Sequence, residues 1–90
     1  MIHLMRGTMR TESFEFKGRK LDVVAVVAGG NWVVTIRENG HTVGRMEYRA
    51  TVETVNDAAT AINAVDLVSE MMKIARRDVL DDTVGLNPVP

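Results

Sequence analysis

Two turn signals, Gly29-Gly30 and Asn39-Gly40, bracket a β-branched and aromatic run from Trp32 to Glu38, and this arrangement constrains the fold more than any other feature of the chain. Glycine, and asparagine ahead of glycine, adopt the positive φ angles of two-residue hairpin loops at little cost. Lys20 to Ala28, Trp32 to Glu38 and His41 to Arg49 therefore read as three antiparallel strands, preceded by a shorter one around Phe14 and Phe16 that ends at Gly18. The loops also set the register. Gly29-Gly30 places Val27 opposite Trp32, Ala25 opposite Val34, Val23 opposite Ile36, and Asp22 opposite Arg37 as an ion pair. Asn39-Gly40 places Ile36 opposite Val43, Thr35 opposite Gly44 and Val33 opposite Met46.

Alternate residues of a strand share a face, so one face collects Phe14, Phe16, Leu21, Val23, Ala25, Val27, Trp32, Val34, Ile36 and Val43, the expected core. The other face carries Val24, Val26, Val33, Met46 and Tyr48 among Asp22, Thr35, Arg37 and Thr42. Two readings of that second face stand. Either a partner covers it, or strand propensity alone has put valine on a solvated surface.

Beyond the strands the period changes from two to between three and four. Ala58, Ala61, Val65, Val68, Met72, Ala75 and Val79 form one helical stripe, and Ala64, Leu67, Met71 and Ile74 a second row beside it. One helix is expected from near Thr54, as cap with Asp57 three residues on, to about Leu80. Asn63, Asp66, Glu70, Lys73 and Arg77 fill its polar side. The fold class is thus α+β, an antiparallel β-meander of three to four strands packed on one long C-terminal α-helix. A helix on a single sheet buries one stripe, so the row of Leu67, Met71 and Ile74 calls for a further cover. A partner chain is the favoured one; Ile2, Leu4 and Met5 folding back is the alternative.

At 90 residues the chain supports one core. Residues 1–10 are expected to be a flexible segment, 11–80 a single domain, and 81–90, with Gly85, Pro88 and Pro90, a disordered tail. The absence of cysteine excludes disulfides, thiolate metal sites and thiol nucleophiles. Polar Thr11-Glu12-Ser13 follows Arg6 and Arg10 where a signal peptide needs an apolar run, so a cytoplasmic location is expected. The apolar run from Val23 to Ala28 is too short for a membrane span, and no membrane association is expected.

Catalytic candidates are weak. His41 follows a hairpin turn, His3 lies near the N-terminus, and Asp81-Asp82 sits at a helix end where negative charge is mildly unfavourable. Gly29-Gly30 joins two strands rather than leading into a helix, unlike a phosphate cradle. Two histidines without metal-ligand spacing give no metal site, and no cofactor is expected. A net charge of -1 supplies no global pull on nucleic acid, which leaves a local patch of Lys17, Arg19, Lys20, Arg45 and Arg49 as candidate phosphate contacts.

From Met9-Arg10-Thr11-Glu12-Ser13-Phe14 to Leu80-Asp81-Asp82 the chain resembles a group of short uncharacterised proteins of Burkholderia and related bacteria, which implies a bacterial setting. More locally, Trp32-Val33-Val34-Thr35-Ile36, His41-Thr42-Val43-Gly44 and the Ala-rich helix resemble the strand, turn and helix order of HicB-type antitoxins. That similarity implies a regulatory module that binds a toxin. The expectation drawn from the residues themselves is a non-enzymatic protein–protein interaction module, with a second copy of the chain as a candidate partner. Its candidate surface is Leu67, Met71, Ile74, Val24, Val26, Val33, Met46 and Tyr48. A nucleic-acid-binding or antitoxin-like module is the alternative.

Overall fold

The computed structural model describes residues 9–81, except for the side chains of residues 45 and 46. Four antiparallel strands, β1 (Met9–Phe16), β2 (Arg19–Ala28), β3 (Asn31–Glu38) and β4 (His41–Thr51), form one sheet in sequence order. Two helices follow, α1 (Val52–Thr60) and α2 (Leu67–Leu80). The meander is α+β as expected, and the strands pair as the turns dictate. Val27 faces Trp32, Ala25 faces Val34, Val23 faces Ile36, and Ile36 faces Val43. Gly29, Gly30, Asn39 and Gly40 all take positive φ, from 53° to 81°. Asp22 and Arg37 are opposite in register, but Asp22 accepts the Ser13 hydroxyl at 2.7 Å instead of pairing with Arg37, whose Nε is buried without a partner.

Three departures from the sequence reading shape the molecule. First, β1 begins at Met9 and pairs with β2 along its whole length, so Met9 and Arg10 belong to the sheet and not to a flexible lead. Residues 1–8, and the tail expected from 82 onward, lie outside the described residues.

Second, β4 contains a bulge. Between the Ile36–Val43 and Val34–Tyr48 pairs, two steps along β3 are matched by five along β4. Gly44, at φ 80°, supplies the left-handed residue that such an irregularity uses. Five is odd, so the strand changes face as it passes the bulge. Val33 consequently pairs with Arg49 rather than Met46, and Tyr48 turns to the helix side to pack against the core.

Third, the single long helix is two. Thr51, not Thr54, caps α1, its hydroxyl accepting the Thr54 N–H at 3.0 Å. α1 ends at Ala61, which is extended at φ -70° and ψ 165°. Asp66 then caps α2, its carboxylate accepting the Ser69 N–H at 3.2 Å. A side chain that satisfies free N–H groups at a helix start competes with helix continuation through that same point. The expected stripe is cut short: Ala61 is exposed and Val65 is 41 % exposed, and Ile62 between them is fully exposed.

The core lies between the sheet and α2. Leu21, Val23, Ala25, Trp32, Val34 and Ile36 meet Val68, Met72, Ala75 and Val79, a stripe of spacing four, three and four, with Val55 of α1 closing one end. Leu21 has no exposed surface, and replacing it by alanine removes its contacts and leaves a cavity. Leu21→Ala is therefore expected to lower stability by about 2–5 kcal/mol. Ile62→Ala should change it by less than about 0.5 kcal/mol, because the side chain touches nothing. Urea unfolding of both variants checks this placement: a loss at Ile62 comparable to that at Leu21 would mean that the Ile62 side chain is buried.

Candidate functional site

Where the chain leaves the sheet, α1 is drawn across the end of the β2–β3 hairpin by the bond from the Val52 N–H to the Gly30 carbonyl, 3.0 Å. The segment between the helices is folded back by a second bond, from the Val65 N–H to the Ala58 carbonyl, 2.9 Å. Between α1, this segment and the sheet end lies a groove of about 710 Å³. Its floor is Trp32, the one tryptophan of the chain, with Val27 beside it. α1 contributes Val52, Val55, Asn56 and Ala59; the connecting segment contributes Ala64, Val65 and Asp66. β1 contributes Arg10.

Arg10 bridges the two walls. Its guanidinium donates to Asp66 at 2.8 Å and to the Ser69 hydroxyl at 3.2 Å, and lies 5.8 Å from the centre of the Trp32 ring. The geometry combines an ion pair with a cation over an aromatic face. Burial alone would push the Asp66 carboxyl up, but the bonds from Arg10 and from the Ser69 N–H and hydroxyl, with the charge of Arg10, outweigh it and hold the carboxyl below its ordinary value. Both charges of the groove therefore neutralise each other. Neither histidine nor any hydroxyl nucleophile lines it. Among the described residues no three His, Asp or Glu side chains converge as metal ligands. Asn56 at the rim carries an amide donor and an acceptor, which match the two polar groups of a peptide unit. Among the described residues the lining is largely apolar, with Asp66 its one carboxylate and Arg10 its one cation.

The residues singled out from the sequence are distributed otherwise. Leu67 and Met71 are partly buried against the core, whereas Ile74 of the same row remains 37 % exposed. On the second face Val24 and Val33 retain 3 % and 9 % exposure and offer a partner little surface, while Val26 is half-buried. The Met46 side chain lies outside the described residues. Among the described residues, exposed large apolar side chains line the groove at Val27 and Val65, with Met9, Ile62, Ile74 and Leu80 outside its lining. Sequence reasoning missed it because a continuous helix places Ala61, Ala64 and Val65 in its apolar rows. The signal was present in Asp66 with Ser69 three residues on, an N-cap pattern inside the supposed helix.

The cations are not gathered either. Lys17, Arg19 and Lys20 flank the β1–β2 turn, whereas Arg49 pairs through Val33 to Val26, about 23 Å of strand away. Arg19 forks onto Glu38 at 2.6 and 3.0 Å and holds that carboxyl below its usual range, and Arg49 bonds Glu47 at 2.6 Å. The Arg45 side chain lies outside the described residues.

Tyr48, turned by the bulge, donates its hydroxyl to Asp78 of α2. Burial, then the bond to Asp78 and its charge, push the phenol up from 10.0 to about 12, against a smaller opposing effect of Arg77. No described helix is long and apolar enough to cross a membrane. No protein-family model matches the chain, and neither does any curated protein or solved structure.

Two outcomes follow from these contacts. A phenol raised in the folded state stabilises below its unfolded pKa and loses that contribution as pH rises through its folded one. Tyr48→Phe is thus expected to cost about 1 kcal/mol at neutral pH and to flatten the stability loss between pH 10 and 12, read by urea midpoints across that range. Arg10→Gln removes the lid over Trp32, at a cost of about 1 kcal/mol, and shifts the Trp32 emission to longer wavelength. It also releases Asp66. A lowered carboxyl stabilises above its unfolded pKa and loses this as pH falls through its folded value, so the variant should lose less stability on acidification, and its Asp66 carboxyl should titrate at a higher pH than in the wild type by NMR.

Proposed function

We propose that this protein is a non-enzymatic interaction module that accepts a short apolar segment of a protein partner in the groove floored by Trp32. The observation that carries this reading is the combination of an apolar groove with exposed apolar side chains, Val27 and Val65, on opposite walls. An aromatic side chain is among the commonest anchors of a binding hot spot. The volume falls within the range of sites that enclose a few large side chains. Charge supports a neutral, apolar ligand, since Arg10 and Asp66 already satisfy each other. Asn56 gives such a segment a hydrogen-bonding register without demanding a particular side chain.

Selection from a displayed random peptide library tests it. Peptides with two or three large apolar residues are expected to be enriched, to alter the Trp32 emission, and to lose roughly tenfold or more in affinity for Ala59→Arg, equivalent to about 1.4 kcal/mol. Ala59 is exposed on α1 and contributes nothing to the core, so the arginine obstructs the groove and leaves the fold intact. Binders indifferent to Ala59→Arg, or no binders at all, would sink the reading.

A further inference from the structure

β2 reaches the groove at its C-terminal end. On the β3 side its ladder continues to Ala28, opposite Asn31, but on the β1 side the last described pair is Met9 with Val26. Val27, the next residue of β2, is a groove wall. Arg10, the residue after Met9 in β1, lines the same groove and reaches over the Trp32 ring. β1 thus starts, at Met9, one ladder step from that wall. Gly7 precedes Met9 by two residues in the sequence. Ahead of it come Ile2, Leu4 and Met5, three large apolar residues within about 20 Å of extended chain.

From this placement we infer that the groove is occupied in the resting protein by the chain's own Ile2, Leu4 and Met5, which act as an internal competitor of the external segment. The inference rests on the reading of the groove as a binding site. Chemistry matches: an apolar segment meets an apolar groove whose charges are internally balanced. Tethering matches as well, because a segment a few residues from its site has an effective concentration in the millimolar range, above that of any free partner. The other end of the chain is less well placed. Residues beyond Asp81 start at the far end of α2, about 21 Å of helix from Asp66. A cis segment that holds the groove closed nine-tenths of the time weakens an external ligand roughly tenfold.

The test uses the full chain carrying Leu4→Asp and Met5→Asp together, with His3→Asp as a control in the same segment. The double variant is expected to emit at longer wavelength from Trp32, to bind the apolar dye anilinonaphthalene sulfonate more strongly, and to bind library-selected apolar peptides roughly tenfold more tightly, with the control unchanged. In the wild type, cross-peaks between the Leu4 or Ile2 methyls and the Trp32 indole are expected by NMR, so the inference stays testable if the double variant fails to fold. Absence of those cross-peaks, with unchanged emission and dye binding, overturns it. Cross-peaks that vanish when labelled protein is diluted with unlabelled would assign the segment to a second copy and overturn it equally. Peptides that bind wild type and double variant alike refute the competitor yet leave the groove's function standing; an unmasked dye site that no peptide enters does the reverse.

Discussion

Asp66 sits where three demands on the chain meet. Its carboxylate takes the free N–H and the hydroxyl of Ser69 and so starts α2; it also takes the guanidinium of Arg10 and so ties that start to β1. A helix can begin at Asp66 because its side chain replaces the missing backbone acceptor, and it cannot easily run through because the same side chain then has no such use. The position of α2 on the sheet follows. With its start fixed beside β1 and its stripe of Val68, Met72, Ala75 and Val79 facing β2 and β3, the six residues before it are left to cross the sheet end. The groove is the space they enclose.

The bulge in β4 secures the opposite end of the same helix. Without the face change at Gly44, Tyr48 would point away from α2; with it, the phenol reaches Asp78 near the last turn. The sheet thus grips α2 through a carboxylate at each end, Asp66 from β1 and Asp78 from β4, with the fully buried Ala75 permitting close approach between them. Helix and sheet are held at two points by polar contacts and along the seam by apolar ones. The apolar seam supplies most of the free energy, and the polar ends fix the register.

Much of this was legible from the residues. Two-residue loops with glycine have few geometries, so Gly29-Gly30 and Asn39-Gly40 gave the pairing of β2 with β3 and the start of β4 correctly. What escaped has a common cause. Periodicity reports which residues are apolar, not which of them the chain keeps in one element. Ala58, Ala61 and Val65 fit the stripe of α2 in phase, yet a capping aspartate and an extended Ala61 divide them from it. Likewise alternation predicted Tyr48 on the outer face, since a bulge shifts parity without any loss of strand character. The groove was illegible for a further reason: it is built from pieces of β1, β2, β3, α1 and a loop, and no local pattern contains them all.

The lid of the groove is weak, which suits the proposed docking of an apolar segment. The Arg10 and Asp66 side chains are 38 % and 51 % exposed, so water screens their attraction and the pair is worth at most about 1 kcal/mol. The cation over Trp32 adds about 0.5–1 kcal/mol at such exposure. Burying one leucine-sized side chain against the floor gains about 1.5–3 kcal/mol. A single apolar residue can therefore displace the guanidinium from the ring, and because Arg10 reaches Asp66 and Ser69 as well, it need not lose those bonds when it moves aside. Exchange between a covered and an occupied Trp32 is then a contest of a few kcal/mol, small enough for a short peptide to decide and large enough for a tethered one to delay.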